Sequence, residues 1–339
     1  MKELKDWHKQ ALKMREEGYK SRAIAEKLLG RSTAKSTVND FLLKYDGGMY
    51  SLIEKECNSL SGVSLRECVS IKELETPEKE LKVLYWDLET SPELGWVWGR
   101  WKQNLGDIQV ERYSHLLSAS YAFNDEPVQG SRLSVEDVAN EDDLTVVIDM
   151  VQAINKADVI VSFNGKKFDL KVLKTRMIKW GLPPLKPVKH LDVMQIAKAQ
   201  MRFPSNSMDN IAKYLGYSEL KVATGGFDLW KRSMNHRNHI ECDKALESML
   251  HYNKGDISVT RNLYKQFQGW STGVNVGAIV NQLIPESQTL RCTKCGSDDM
   301  FVEDGFAYTA TIGFQLYRCG CCRGVSRINA KGDKLLGVV

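Results

Sequence analysis

Four acidic residues in three separated segments constrain this chain more than anything else in its 339 residues. Trp86-Asp87-Leu88-Glu89 comes first, then Ser162-Phe-Asn-Gly-Lys-Lys-Phe-Asp169, then Tyr252-Asn-Lys-Gly-Asp256. Carboxylates brought together repel one another unless cations lie between them. Oxygen-only donors of this kind select Mg²⁺ or Mn²⁺ over thiolate-loving metals. Two such ions about 4 Å apart form a clamp for in-line displacement at a phosphodiester. The chemistry implied is that of a two-metal nuclease.

Each segment has a local structure that suits this role. Residues 82–86 form a short apolar, β-rich run, as expected of a buried central strand. Asp87 and Glu89 are two apart, so on a strand both emerge on one face. Residues 158–163 predict a second strand, which turns at Asn164-Gly165 into a helix beginning near Phe168 and leaves Asp169 at its start. Tyr252 and Asp256 are four apart and share one face of a helix. Further strands are expected at 116–123 and 131–134, and a helix at 141–156 leading into the second-motif strand. This alternation predicts an α/β fold.

Asp87-x-Glu89, Asn164-x-x-x-Phe168-Asp169 and Tyr252-x-x-x-Asp256 together resemble the three motifs of the DnaQ-like 3′→5′ exonucleases. The tyrosine form of the third motif is similar to the DEDDy branch. The second motif looks like that of family B DNA polymerase proofreading domains, and the run after Glu89 is similar to stand-alone phage and prophage exonuclease-like proteins. The resemblance covers roughly residues 80–268. It implies a ribonuclease H-like mixed sheet flanked by helices, two Mg²⁺ or Mn²⁺, and hydrolysis from a 3′ end to nucleoside 5′-monophosphates, with DNA favoured over RNA. It further implies that Asp87 bridges both ions. Glu89 and Asp256 serve the ion that activates water, and Asp169 serves the second, directly or through water. Tyr252 would orient the nucleophile, Asn164 and Phe168 would shape the second-motif turn, and Thr90 would meet the terminal phosphate. His190 and Asp192 fall near the family's site, and neither is read as a metal ligand.

Five of the eight cysteines crowd into residues 292–322, a pattern that points to a metal rather than a disulfide framework. Cys292-x-x-Cys295 and Cys319-x-x-Cys322 resemble the two knuckles of a zinc ribbon, with a hairpin between them and one Zn²⁺ held by four thiolates. Cys321 either replaces a neighbour or is free. Cys57, Cys68 and Cys242 read as buried reduced thiols. The ribbon's partner is nucleic acid or a docked protein.

Residues 1–45 resemble a helix-turn-helix module, with Ile24, Ala25 and Leu28 on one helix face and Val38, Phe41 and Leu42 on the next helix. Eleven Lys and Arg stand against six acids in this segment, which fits attraction to phosphate. Arg31, Lys35, Ser36, Thr37 and Asn39 are its candidate DNA contacts. The expected layout is an all-α module at 1–45, a charge-rich linker at 46–80, the exonuclease domain at 81–268, a linker at 269–288 and a small β zinc ribbon at 289–339. Trp96, Trp98 and Trp101, just after the first motif, either stack on unpaired bases or pack a loop against the sheet.

The composition, 42 % hydrophobic and 27 % charged with net charge +4, is that of a globular protein. The charge-free stretch 266–285 is too polar to span a bilayer, and no apolar signal segment opens the sequence. The expectation is a cytoplasmic protein, in the host cytoplasm if phage-encoded, with no membrane partner. Two rival readings stand beside the exonuclease. One is a non-catalytic nucleic-acid-binding regulator, the other a structure-specific endonuclease with the same metal site.

Overall fold

In a computed structural model, the described residues are 9–11, 13–14, 24, 26–28, 80–99, 101–217, 226–285, 289–310, 312–328 and 335–337. The chain divides into two compact units, Met1–Glu78 and Lys79–Val339. In the first unit the described residues are helical, with Ala11 and Ile24 buried and Leu28 half-buried. The proposed DNA contacts Arg31, Lys35, Ser36, Thr37 and Asn39 lie outside the described residues, as do Cys57, Cys68, Ala25 and the second helix of the expected module.

The second unit runs, in chain order, β1 (Val83–Thr90), β2 (Leu94–Gly95), β3 (Val110–Arg112), β4 (Leu116–Phe123), β5 (Gln129–Arg132), α1 (Val135–Asn140), α2 (Leu144–Lys156) and β6 (Val159–Ser162). It continues with α3 (Asp169–Lys179), β7 (Lys189–Asp192), α4 (Val193–Gln200), α5 (Met208–Tyr214), α6 (Asp228–Met234) and the long α7 (His239–Phe267). Helix α8 (Val276–Leu283) and strands β8 (Met300–Tyr308), β9 (Gly313–Cys319), β10 (Val325–Ile328) and β11 (Leu335–Gly337) complete it.

Five strands form a mixed sheet in the order β5-β4-β1-β6-β7. β1 is antiparallel to β4 and parallel to β6, and β6 is parallel to β7. The alternating pleat sorts β1 by face. Leu84, Trp86 and Leu88 pack with Ile160 and with Val146, Val147, Met150 and Ile154 of α2. Tyr85 instead joins Val159, Val161, Ile257, Leu263 and Tyr264. Helices therefore cover both faces, which is why β6 reads as an uninterrupted apolar run.

The floor beneath α7 is made of small residues. Opposite Tyr85, Asp87 and Glu89, strand β4 carries Ala122, Ser120 and Ser118, and Gly130 of β5 pairs with Ser120. A Cβ at Gly130 would lie 2.7 Å from the Ala119 carbonyl oxygen and 3.0 Å from Leu250 Cδ1. Strand β5 thus falls at 129–132 rather than at 131–134, as the sequence pattern had indicated. A buried carboxylate staples the other face. Asp143, at the N-cap position of α2, accepts from Arg176 Nε and Nη2, Trp180 Nε1 and the Leu116 N–H, so α2, α3 and β4 share one anion.

The expected 269–288 linker is structured along much of its length. A 3₁₀ turn at Gln268–Trp270 follows α7, and α8 begins under an Asn275 cap with Val276, Gly277 and Val280 buried. The segment is docked on the cysteine-bearing sheet, whose strand order is β11-β10-β9-β8. A side chain on Gly277 would come within 2.8 Å of the Arg291 and Cys292 carbonyls, and one on Gly269 would collide with the Cys322 carbonyl. Lys294, buried between Cys292 and Cys295, donates its Nζ to the Ser271 carbonyl. Among the described residues no helix is long and apolar enough to cross a membrane.

Candidate active site

Three of the four predicted acids meet where α7 crosses the end of β1. Single carboxylate oxygens of Asp87, Glu89 and Asp256 all lie within 4.8 Å of one another. The pleat of β1 places the first two on the α7 side, above Ser120 and Ser118. Helix α7 contributes Tyr252 and Asp256 one turn apart, both buried. The ladder between β1 and β4 slips between Glu89 and Thr90, ending the strand just beyond the acids. Trp230 of α6 then closes the corner, donating Nε1 to the Thr90 carbonyl at 3.1 Å and lying edge-on to the Tyr252 ring.

Asp169 is placed differently. It is the first residue of α3, is buried, and is absent from the three-oxygen cluster. Its Oδ1 accepts from the Leu88 N–H at 3.3 Å, so β1 itself holds it next to Asp87. Burial pushes its pKa up to about 6; backbone N–H donors, that of Leu88 among them, oppose the rise and the nearby Asp192 adds to it. This is the environment of a carboxylate that gains from a neighbouring cation.

The turn that delivers Asp169 is built by groups the motif pattern did not single out. Asn164 adopts φ 66°, a left-handed conformation that asparagine tolerates better than most residues. Asp192, read as lying near the site, is an organiser of this turn. One of its oxygens accepts from the N–H groups of Asn164, Met194 and Gln195, and the other from that of Lys166. It thereby caps α4 and fixes the second-motif loop in one step. His190 is structural, as read. Its Nε2 pairs with Ser162 Oγ at 2.7 Å, and burial, helped by Lys166 and Lys174, pushes its pKa down to about 3. Phe168 is about half exposed beside Asp169.

Sequence reasoning missed Asn253. It is fully buried, and its Nδ2 donates to Asp87 Oδ2 at 2.7 Å. The available signal was a polar residue three before Asp256, which shares a helix face with it. The tryptophans do not pack a loop against the sheet. Trp96, Trp98 and Trp101 are 74 %, 101 % and 85 % exposed, on a wing built around the β2–β3 ribbon.

The second cluster is made of sulfur. Sγ atoms of Cys292, Cys295, Cys319 and Cys322 lie within 4.8 Å of one another, with Cys292···Cys322 and Cys295···Cys319 at 3.6 Å. That is far beyond a disulfide bond and close to the ~3.8 Å edge of a tetrahedron with Zn–S near 2.3 Å. Hydrogen bonds among these sulfurs pull the Cys292 thiol far down and push those of Cys295 and Cys322 up, as expected of close thiols that share protons when no cation lies between them. Cys321 is exposed and outside the set, and Cys242 is a buried thiol donating to the Ser233 carbonyl.

A mixed five-stranded sheet flanked by helices, with acids at the end of its central strand, defines a ribonuclease H-like domain. Residues 116–268 match the RNase_H superfamily model, which agrees with the fold. A stretch of 103 residues is 27 % identical to "DNA polymerase III PolC-type" of Ureaplasma parvum serovar 3 (strain ATCC 700970), covering 30 % of this chain and 7 % of that protein. The chain thus spans a small part of that relative's length. The structure of the family B DNA polymerase from the hyperthermophilic archaeon Pyrobaculum calidifontis aligns at a TM-score of 0.39 and 17 % identity, over 62 % of this chain and 28 % of that one.

Proposed function

We propose that the chain is a divalent-metal-dependent 3′→5′ exonuclease acting on nucleic acid, DNA in preference to RNA, and releasing nucleoside 5′-monophosphates. The observation that carries this reading is the convergence of Asp87, Glu89 and Asp256 within 4.8 Å, one helical turn from Tyr252. The donors are hard oxygens drawn from a strand and a helix that the core holds rigid, which suits Mg²⁺ or Mn²⁺. Asp169, held by Leu88, completes the set from the second-motif side. When bound, a pair of such ions polarises the scissile phosphate and lowers the pKa of the attacking water.

The protein's own groups do the rest. Tyr252 aims the water by a hydrogen bond from its hydroxyl, and Trp230 fixes the tyrosine ring from one side. Thr90 lies at the strand end where a terminal phosphate would approach. Phe168 and the exposed tryptophans 96, 98 and 101 offer flat faces to unpaired bases, whatever their identity. The likeness to a segment of a PolC-type DNA polymerase supports a nucleic-acid substrate. The four clustered cysteines hold one Zn²⁺, and the basic N-terminal module, through Arg31, Lys35, Ser36, Thr37 and Asn39, recruits longer DNA.

The test is digestion of 5′- and 3′-labelled DNA and RNA oligonucleotides with Mg²⁺ or Mn²⁺, beside a circular single strand. A ladder shortening from the 3′ end, with the circle intact, is expected. Cutting of the circle would favour the endonuclease reading. Binding without cutting under every metal would favour the regulator.

A further inference from the structure

Asn253 is an amide built into the acidic cluster, and its placement is specific. It lies between Tyr252 and Asp256 on α7, is fully buried, and reaches across to Asp87 on β1. A carboxylate can only accept from a neutral amide, so the bond fixes which way the asparagine faces: Nδ2 toward Asp87, Oδ1 away. Among the described residues that Oδ1 has no hydrogen-bond partner. Asparagine is also a poor residue for a helix interior. Fold stability alone does not account for it.

We propose that Asn253 is a positioning residue of the metal centre. It holds the Asp87 carboxylate in one rotation relative to Glu89 and Asp256, with which it would share a cation. A lysine or arginine there would hold Asp87 as firmly, yet it would bring a positive charge that competes with the cation. An aspartate would add a further repelling charge. A neutral donor orients the ligand and leaves the net charge of the site unchanged. The small floor of Ser118, Ser120 and Gly130 lets α7 approach closely enough for so short a side chain to reach β1. This inference rests on the reading of the site as a metal centre.

The experiment is Mn²⁺ titration of the full chain by calorimetry, without nucleic acid, for the wild type, Asn253→Leu and Asn253→Ala. Leucine keeps the volume and removes the donor, while alanine guards against a variant that fails to fold through crowding. Partners that orient metal ligands typically contribute 10–100-fold to metal affinity or activity. Mn²⁺ affinity should therefore fall by about 10–100-fold in the folded variants, and the Mn²⁺ concentration for half-maximal cleavage should rise in parallel. The rate should recover substantially at saturating metal. A merely structural role would lower the thermal midpoint and leave Mn²⁺ affinity alone. A folded variant that binds Mn²⁺ within about twofold of wild type overturns the assignment. A wild type that binds no Mn²⁺ at this site overturns the metal-centre reading itself.

Discussion

At the scale of single residues, the site divides into groups that touch the chemistry and groups that aim them. On the proposed reading Tyr252 belongs with the first. Tyr252→Phe keeps the ring against Trp230 and removes only the hydroxyl, so substrate affinity should hardly move. The cleavage rate should drop by about 10²–10³-fold, the scale of losing one oriented hydrogen bond at a reacting centre. Single-turnover rates and binding to uncleavable oligonucleotides would check both halves. Asp256→Asn removes a charged ligand and should abolish Mg²⁺-dependent cleavage, with nucleic-acid binding retained at low salt; cleavage at the wild-type rate would refute the assignment. The acids and the tyrosine were legible because each motif carries its own geometry, two apart on a strand or four apart on a helix. Asn253 and the turn-holding role of Asp192 were not, because Asp87 lies 166 residues from Asn253 and Asn164 lies 28 from Asp192, and only the folded sheet brings them together.

At the scale of elements, the pairing of β6 with β7 carries a pH dependence. His190 is buried neutral against Ser162, with its folded pKa near 3 and below the ordinary value because of burial. An unfolded histidine titrates near 6.5. Between these values the unfolded chain binds the extra proton, so the contribution of His190 is complete above about pH 6.5 and is lost as pH falls toward about 3. That loss runs at up to about 1.4 kcal/mol per pH unit for one proton. Denaturant midpoints measured from pH 7 to pH 4 should slope downward, and a folded His190→Gln variant should slope less. The β2–β3 wing is a second element with its own test. Trp98→Ala and Trp101→Ala should each weaken single-strand binding by about 5- to 150-fold, because base stacking is worth about 1–3 kcal/mol. An abasic oligonucleotide should erase the difference, and unchanged affinity would leave the wing for another partner. Strand β4 was fully legible as a buried apolar run at 116–123. The wing and helix α1 were not, because short ribbons and six-residue helices carry too little periodicity to announce themselves.

At the scale of the whole molecule, the cysteine-bearing sheet is a continuation of the ribonuclease H-like unit. Residues 269–288 were read as a linker, and the burial of Val276 and Val280 shows only in the folded chain. The C-terminal end of α7, whose middle carries Tyr252 and Asp256, leads directly into this contact. With Zn²⁺ held by the four cysteines as proposed, Cys295→Ser should therefore destabilise the ribonuclease H-like domain as well as the sheet. Calorimetry should show one unfolding transition, lowered by roughly 10 °C or more, since each kcal/mol moves the midpoint of a domain this size by about 2–4 °C. Two separate transitions, the upper one unchanged, would refute this coupling, and metal analysis of the wild type should find about one zinc per chain.

Gly269 lies against the Cys322 carbonyl and Gly277 against those of Arg291 and Cys292, and a side chain on Gly324 would come within 2.9 Å of the Gly269 carbonyl oxygen. Each half of the contact is thus cut to the shape of the other. A crossover between relatives at residues 270–290 would join one parent's glycines to another parent's carbonyls. Recombinants broken there should be selected against, so that the stretch from the acids to the last cysteine is inherited as a single block.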